Sequence, residues 1–186
     1  PESGKGGLSQ VMKHMNLPFL ETDLTMFAEK MKEVCDSHRS DLDQAEVAEH
    51  IYYPTVVEIT GGSYITEVEE TERVDGKIAV TIKTKDGMEY TGVASTDEEG
   101  EIDAVMNGMK QIIPNIDITR NGFHTRTTGK GSGASAISTF TIRNSHEVTQ
   151  SATDTNTHLA ERKALIRTFN ALWAQNEYAR MIESES

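Results

Sequence analysis

Two stretches of this chain carry the same order of patterns, which are three segments of alternating polar and apolar residues followed by one segment of helical periodicity. The first stretch runs from Pro54 to Pro114 and the second from Ile116 to the end of the chain. Such alternation predicts strands, and the three- and four-residue spacing that follows predicts a helix. Each stretch is therefore interpreted as a βββα unit, and two such units are expected to share one core.

Short identities between the two stretches agree with this repeat. Three residues of the third segment recur 58 positions later: Glu89, Thr91 and Ala94 reappear as Glu147, Thr149 and Ala152. Turn residues separate the predicted strands, with Asp75-Gly76 and Asp86-Gly87 in the first unit and the glycine-rich run 129–133 in the second. Aspartate-glycine pairs are typical of tight turns between antiparallel strands.

The residues before the repeat have a helical pattern from Leu8 to about Tyr53. Breaks are predicted at the Asn16-Leu17-Pro18 segment and in a loop where Ser40 and Asp41 suit a helix N-cap. Pro54 is expected to end the last helix, because the residue before a proline avoids the helical conformation. The predicted fold class is α+β, with a helical linker subdomain at residues 1–53 and two βββα units at residues 54–186.

Composition excludes several classes of function. The 186 residues include thirty acidic and eighteen basic side chains, so the formal charge is −12. A nucleic-acid-binding surface or a surface for anionic lipid needs excess positive charge, and neither is expected here. The chain has no apolar run of about 20 residues, the length that a membrane helix requires. With no signal peptide and one cysteine, Cys35, a cytoplasmic location is predicted, and Pro1 in place of methionine favours a piece of a longer protein.

The sequence contains no convincing catalytic constellation. The Gly4-Lys5-Gly6-Gly7 run lacks the remainder of a phosphate loop, and no two of the six histidines have the spacing of a helical metal site. Cys35 and His38 are three residues apart, but no third group is available to orient them as a nucleophile pair. No catalytic residue and no metal ligand is therefore predicted. A binding, regulatory or assembly role is the direct interpretation of the residues.

Several segments resemble one enzyme family. The run Ser3-Gly4-Lys5-Gly6-Gly7-Leu8-Ser9, followed by Val11-Met12-Lys13 and Leu17-Pro18, resembles the start of the helical linker in 2-isopropylmalate synthases. The helix start Gly100-Glu101-Ile102-Asp103-Ala104, the strand Gly133-Ala134-Ser135-Ala136 and the last helix resemble the carboxy-terminal regulatory domain of that family, which citramalate synthases also have. The opening motif is moderately specific, the regulatory segments are degenerate, and together they cover nearly the whole chain.

The resemblance implies a regulatory role in an acyltransferase of leucine biosynthesis. In that family a (β/α)8 barrel condenses acetyl-CoA with 2-oxoisovalerate using a divalent metal, and the regulatory domain dimerises and binds leucine as a feedback inhibitor. This chain lacks the barrel's histidine ligands, so it is expected to be inactive alone and to hold no cofactor itself. The implied partners are leucine or a related branched-chain amino acid, a second copy of the chain in a homodimer, and the parent barrel.

The resemblance also implies an effector site. Its residues are Glu99, Gly100 and Asp103 at the first helix start, Phe123 and Thr127 in the fourth strand, Ala134 in the fifth, and Thr155 and Thr157 before the last helix. An amino acid needs a small apolar pocket and helix-start amides for its carboxylate, which agrees with these positions. Glu98, Glu99 and Asp103 depart from the family pattern, and their charges would attract an α-amino group and repel an α-carboxylate.

Other functions stay open at this point. The same segments are compatible with the regulatory domain of a citramalate synthase or with a free-standing amino-acid-binding module. A small enzyme that uses Cys35 or a pair of carboxylates is a third class. Alternatively, the predicted site residues only cap a helix and line a dimer contact.

Overall fold

The computed structural model describes residues 4–37, 41–95, 100–127 and 134–186, and for residues 71–74, 122–127 and 134 it describes the backbone alone. The chain forms two compact units. One unit comprises Pro1–Gly62 together with Trp173–Ser186, and the other comprises Ser63–Leu172. We call them the helical unit and the sheet unit.

The helical unit is built from short helices joined by tight breaks. Its helices are α1 (Lys5–His14), α2 (Leu24–Ser37), α3 (Gln44–Val47) and α4 (Tyr53–Ile59), with a 3₁₀ turn at Glu21–Asp23 and a π-helical turn at Ala48–Tyr52. The predicted break after α1 is confirmed, since Asn16 has a φ of 55°, a left-handed conformation that asparagine tolerates better than most residues.

Two details of the helical unit differ from the sequence predictions. Pro54 does not end the helix, because it lies in the first turn of α4, where a missing N–H costs little. The π-helical turn just before it changes the hydrogen-bond pattern ahead of the proline and lets Tyr53 stay helical. The N-cap of α3 is Asp43, whose Oδ1 accepts a 2.8 Å hydrogen bond from Glu46 N, rather than Ser40 or Asp41. Of the predicted caps, Ser40 lies outside the described residues.

Aromatic side chains form the centre of the helical unit. Phe27 of α2 is fully buried and stacks on Tyr52, with 5.5 Å between the ring centroids. The ring of Tyr178 lies 6.4 Å from Phe27, and its hydroxyl donates to Asp23 and accepts from Leu20 N. The buried hydroxyl of Tyr52 donates to Pro18 O at 2.6 Å. These bonds satisfy the polar ends of a core that is otherwise apolar.

The sheet unit contains the predicted repeat. Its elements in chain order are β1 (Ile65–Val74), β2 (Lys77–Thr84), β3 (Glu89–Ser95), α5 (Glu101–Ile112), β4 (Asp117–Thr127), β5 (Ala134–Arg143), β6 (Glu147–Asp154) and the beginning of α6 (Thr157–Glu185). Each set of three strands is an antiparallel sheet with the middle strand between its neighbours, β1-β2-β3 and β4-β5-β6. The α+β class and the twofold βββα order are therefore confirmed.

The two sheets follow the same sequence register. The third strands begin at Glu89 and Glu147, which are 58 positions apart, as the short identities indicated. Asp75 and Gly76 both have positive φ, so the turn between β1 and β2 is of the predicted tight kind. Along β2 the side chains alternate between buried and half-buried, because one face of the sheet is covered and the other is not.

Helix α5 packs closely against the first sheet at a glycine contact. A Cβ built on Gly92 of β3 would lie 1.9 Å from Ala104 O and 2.6 Å from Gly108 N. A Cβ built on Gly108 of α5 would likewise lie 2.6 Å from Cδ1 of Ile82 in β2. The absence of side chains at both positions lets the backbones approach, which is a requirement that a glycine alone meets.

Helix side chains also bond the outer strands of both sheets. Asn107 and Gln111 of α5 donate to Val93 O and Thr91 O of β3, at 2.8 and 2.6 Å. Arg167 of α6 donates to Ser151 O of β6 at 3.1 Å. Val93 and Ser151 are again 58 positions apart, so both repeats cover the same carbonyl of their third strand. Such bonds reduce the tendency of an edge strand to pair with another chain.

Asn170 joins the two repeats within the sheet unit. Its Oδ1 accepts from Ile65 N at 2.8 Å and its Nδ2 donates to Ile65 O at 3.3 Å, so α6 holds the first residue of β1. Ahead of it, the fully buried Thr168 donates to Ala164 O at 2.6 Å and keeps its hydroxyl satisfied beside the second sheet.

The boundary before the sheet unit falls after Gly62, later than residue 53, because α4 continues the helical unit.

Candidate functional site

The first half of the candidate site is the start of α5. Gly100 is the N-cap, and its N–H donates to Asp103 Oδ2 at 2.9 Å, so this carboxylate is used by the helix itself. Among the described residues, no atom would lie within 4 Å of a Cβ built on Gly100. The next residue, Glu101, is buried although it carries a carboxylate.

The second half is the start of α6. Asn156 Oδ1 accepts hydrogen bonds from His158 N at 2.9 Å and Leu159 N at 3.3 Å, which is the geometry of a helix N-cap. Asp154 Oδ1 in turn accepts from Asn156 N at 2.9 Å. This chain of bonds fixes the end of β6 against the first turn of α6.

The two helix starts meet through one carboxylate. Glu101 Oε2 contacts His158 Nε2, and Glu101 Oε1 contacts a terminal nitrogen of Arg162. The Glu101 side chain is 7% exposed, whereas those of Arg162 and His158 are 25% and 50% exposed. Both helix N-termini carry a partial positive charge, so the position between them favours an anion.

Strand register places further predicted residues at the same end of the second sheet. Thr127, the last residue of β4, pairs with Ala134, the first residue of β5. Ala136 of β5 pairs with Asp154, the last residue of β6. Since Thr155 and Thr157 follow Asp154 directly, the ends of these strands and the start of α6 lie together.

The predicted effector residues are thus distributed as follows. Gly100 and Asp103 lie at the start of α5, and Thr155 and Thr157, both exposed, lie at the start of α6. Thr127 and Ala134 are brought to the same sheet end by their backbones, while Phe123 lies farther along β4, opposite Ser138. Glu99 lies outside the described residues.

Sequence reasoning missed the three residues that join the helix starts. Glu101 stands between two predicted site residues, and His158 follows a third, Thr157. One available signal was the four-residue spacing of His158 and Arg162, which puts two nitrogen-bearing side chains on one face of a helix. The partner across the site is 57 positions away from His158 in the sequence, and no local pattern reports such a contact.

Other charges around the start of α6 are paired. Glu161, which is also buried, contacts Arg120 of β4 at 3.2 Å, and the Arg120 guanidinium lies 5.9 Å from the centre of the Phe140 ring. Lys163 contacts Asp154. The N–H of Asn156 and the Lys163 ammonium hold the pKa of the Asp154 carboxyl below its usual value.

The lowered pKa of Asp154 predicts a pH-dependent stability. Because the folded-state pKa is depressed, the charged carboxylate stabilises the protein above the ordinary aspartate pKa of 3.8, and this contribution is lost as the pH falls through the folded value. Asp154→Asn should therefore lower the free energy of unfolding at neutral pH and have a diminishing effect in acid. Urea unfolding of the wild type and of Asp154→Asn, from neutral pH to below the ordinary aspartate pKa, measures this difference in the free energy of unfolding. A difference that is independent of pH would contradict the prediction.

Other candidate sites are less developed. In the helical unit an open cleft of about 390 Å³ is lined by Lys13, Asn16, Leu17, Pro18, Phe19 and Glu21. Cys35 is half-buried in α2, and its sequence neighbour His38 lies outside the described residues. Within the described ranges, no three His, Cys, Asp or Glu side chains are grouped to hold a metal ion. The helices of the described residues include none with the length and apolar character needed to cross a membrane.

No protein-family model matches this sequence, and no curated protein matches it either. The residues and their geometry therefore carry the functional assignment. The strongest geometric feature is the meeting of two helix starts in the sheet unit.

Proposed function

We propose that this chain is the regulatory portion of a 2-isopropylmalate synthase, which binds leucine as a feedback inhibitor and mediates dimerisation. The observation that carries the proposal is the meeting of the α5 and α6 starts, where Glu101 contacts both His158 and Arg162. Two converging helix N-termini place positive partial charge where the α-carboxylate of an amino acid would bind.

The surroundings of the two helix starts support an amino-acid ligand. A Cβ on Gly100 would meet no atom of the described residues within 4 Å, and Thr155 and Thr157 at the start of α6 are exposed in the same unit. The buried Ala136 of β5, which pairs with Asp154 at the end of β6, adds a small apolar side chain to this end of the sheet. A few polar groups beside a small apolar surface are the features that fix the orientation of a small ligand.

The chemistry of the parent enzyme lies outside these residues in this proposal. The condensation of acetyl-CoA with 2-oxoisovalerate requires the divalent metal of a catalytic barrel, and this chain acts on that barrel in the cytoplasm. Inhibition is then a coupling free energy between two sites, typically about 1–3 kcal/mol. The same regulatory unit in a citramalate synthase would use the same site with a different amino acid.

Calorimetric titration of the chain with leucine, isoleucine and valine tests the proposal. We expect leucine to bind in a saturable manner and more tightly than valine. The variant Gly100→Val places a branched side chain at the start of α5 and should weaken binding at least about tenfold, equivalent to about 1.4 kcal/mol.

Gly4→Val is the matched control for this titration. Gly4 is the N-cap of α1, has a similar extended conformation, and also has no atom within 4 Å of a built Cβ. Its substitution changes a helix start in the other unit and should leave the affinity for leucine unchanged. Absence of heat with all three amino acids would contradict the proposal, as would equal losses in the two variants.

A further inference from the structure

We propose that Arg162 and His158 are the carboxylate-binding pair of this site, and that Glu101 occupies it as an internal ligand which an incoming carboxylate displaces. This inference rests on the proposed function for the identity of the ligand as leucine. It adds which side chains recognise the ligand's carboxylate and that Glu101 is released when the ligand binds. It assigns a recognition role to three side chains that the resemblance does not include.

The Glu101 carboxylate is held as a bound ligand is held. Glu101 Oε2 is within hydrogen-bond reach of the His158 imidazole, whereas Oε1 contacts the Arg162 guanidinium as an ion pair and has no hydrogen bond among the described residues. The side chain is 7% exposed, and a buried carboxylate needs such partners to offset its lost hydration. The α-carboxylate of a free amino acid has the same shape and the same charge.

The side chains of His158 and Arg162 are accessible from solvent. His158 is half-exposed and Arg162 is one-quarter exposed, so a small anion can reach them without unfolding either helix. The Nε of Arg162 is buried and has no hydrogen-bond acceptor among the described residues. The guanidinium therefore has a donor to spare, and a planar guanidinium matches a carboxylate with two parallel bonds.

The remaining charges near the helix starts have other partners. The Asp103 carboxylate accepts from Gly100 N, Glu161 contacts Arg120, and Asp154 contacts Lys163. Within the described part of the chain, Glu101 is the acid that the structure places on Arg162 and His158. A second carboxylate can bind Arg162 and His158 only if Glu101 leaves, because two carboxylates at the same two side chains repel each other.

Displacement has a consequence for the fold of the sheet unit. Glu101 belongs to the first repeat, and His158 and Arg162 belong to the second, so this contact links the two repeats. A bound carboxylate would replace Glu101 on Arg162 and His158 and release α5 at its first turn. The protein then has two states that differ in this link, and the ligand favours the open one by its differential affinity.

Glu101→Ala tests the internal ligand directly. An attached carboxylate competes at an effective concentration in the millimolar range or above, so its removal should tighten the binding of an external carboxylate at least about tenfold. The probes are sodium acetate, leucine and leucinamide, titrated into the whole chain by calorimetry. Acetate and leucine should gain affinity, whereas leucinamide, which has no carboxylate, should not. Arg162→Gln should abolish acetate binding, and Arg162→Lys should weaken it.

Glu161→Ala is the matched control, since Glu161 is a neighbouring buried acid that pairs with Arg120 instead. It should leave acetate binding as in the wild type. Circular dichroism verifies folding, and Glu101→Gln, which keeps the shape and removes the charge, replaces any Glu101→Ala protein that fails to fold.

The outcomes separate this inference from the proposed function. Tighter acetate binding that depends on Arg162, without leucine binding, supports the inference and contradicts the leucine assignment. Leucine binding that is equal in the wild type, Glu101→Ala and Arg162→Gln supports the proposed function and overturns the inference. Absence of acetate binding to both Glu101→Ala and Glu101→Gln also overturns the inference.

Discussion

Replacing Gly92 by alanine is expected to destabilise the sheet unit by about 3 kcal/mol or more. The new Cβ would lie 1.9 Å from Ala104 O, and both atoms are fixed by backbone structure, so neither can rotate away. Relief requires α5 to move away from β3, which would also break the bonds from Asn107 and Gln111 to that strand. Chemical denaturation followed by circular dichroism measures the loss.

Two other glycines give a graded comparison for Gly92→Ala. At Gly108 the closest atom is Ile82 Cδ1 at 2.6 Å, the far end of a flexible side chain, and alanine should cost less there. At Gly100 no atom of the described residues would lie within 4 Å of the new Cβ, so the cost of alanine there should be limited to the weaker N-cap, about 1 kcal/mol. A Gly92→Ala protein as stable as Gly100→Ala would contradict the described packing of α5.

Phe27→Ala is expected to cost about 3–5 kcal/mol, because it removes a fully buried aromatic ring and leaves a cavity. The ring stacks on Tyr52 and contacts Tyr178, so three elements of the helical unit lose their common packing. The near-ultraviolet dichroism of the tyrosines should fall together with the midpoint of urea unfolding.

Met26→Ala is the control for Phe27→Ala. Met26 is the preceding residue of α2 and is 38% exposed, so its truncation should change stability by about 0.5 kcal/mol or less. Equal effects of the two substitutions would contradict the burial of Phe27 at the centre of the helical unit.

Strand and helix patterns in the sheet unit were predictable from the sequence, because one covered face imposes alternation on each strand. The β2 segment shows this most clearly, since every second side chain from Ile78 to Thr84 is buried. The repeat was also detectable, because the third strands begin 58 positions apart with the same residue type. The spacing of apolar residues in a sequence reflects which side chains are buried, and the two repeats bury corresponding positions.

The errors in the helical unit have a local origin. Pro54 was expected to end a helix, but a π-helical turn before it altered the bonding pattern, and no composition rule reports such a turn. The α3 cap depended on which of several neighbouring polar residues bonds the first turn. Asp43 caps α3 because the backbone there places its carboxylate next to Glu46 N, and the local sequence does not specify that geometry.

The effector site follows from the family resemblance and stays a prediction. The start of α5 was predictable, because helical periodicity begins next to it in the sequence, whereas Thr157, expected before the last helix, is its first residue. The contact of Glu101 with His158 and Arg162 joins distant parts of the chain, so it required the packed structure. The capping bond of Asp103 likewise gives a structural role to an acid that the resemblance implies as an effector residue.

If the starts of α5 and α6 hold an amino acid, a leucine titration should change the chemical shifts of the backbone amides there. We expect saturable shifts at Gly100 and Glu101 and at Asn156 and His158, with little change in α1 and α2. Leucine-dependent shifts confined to the helical unit, or no shifts at any amide, would contradict this expectation.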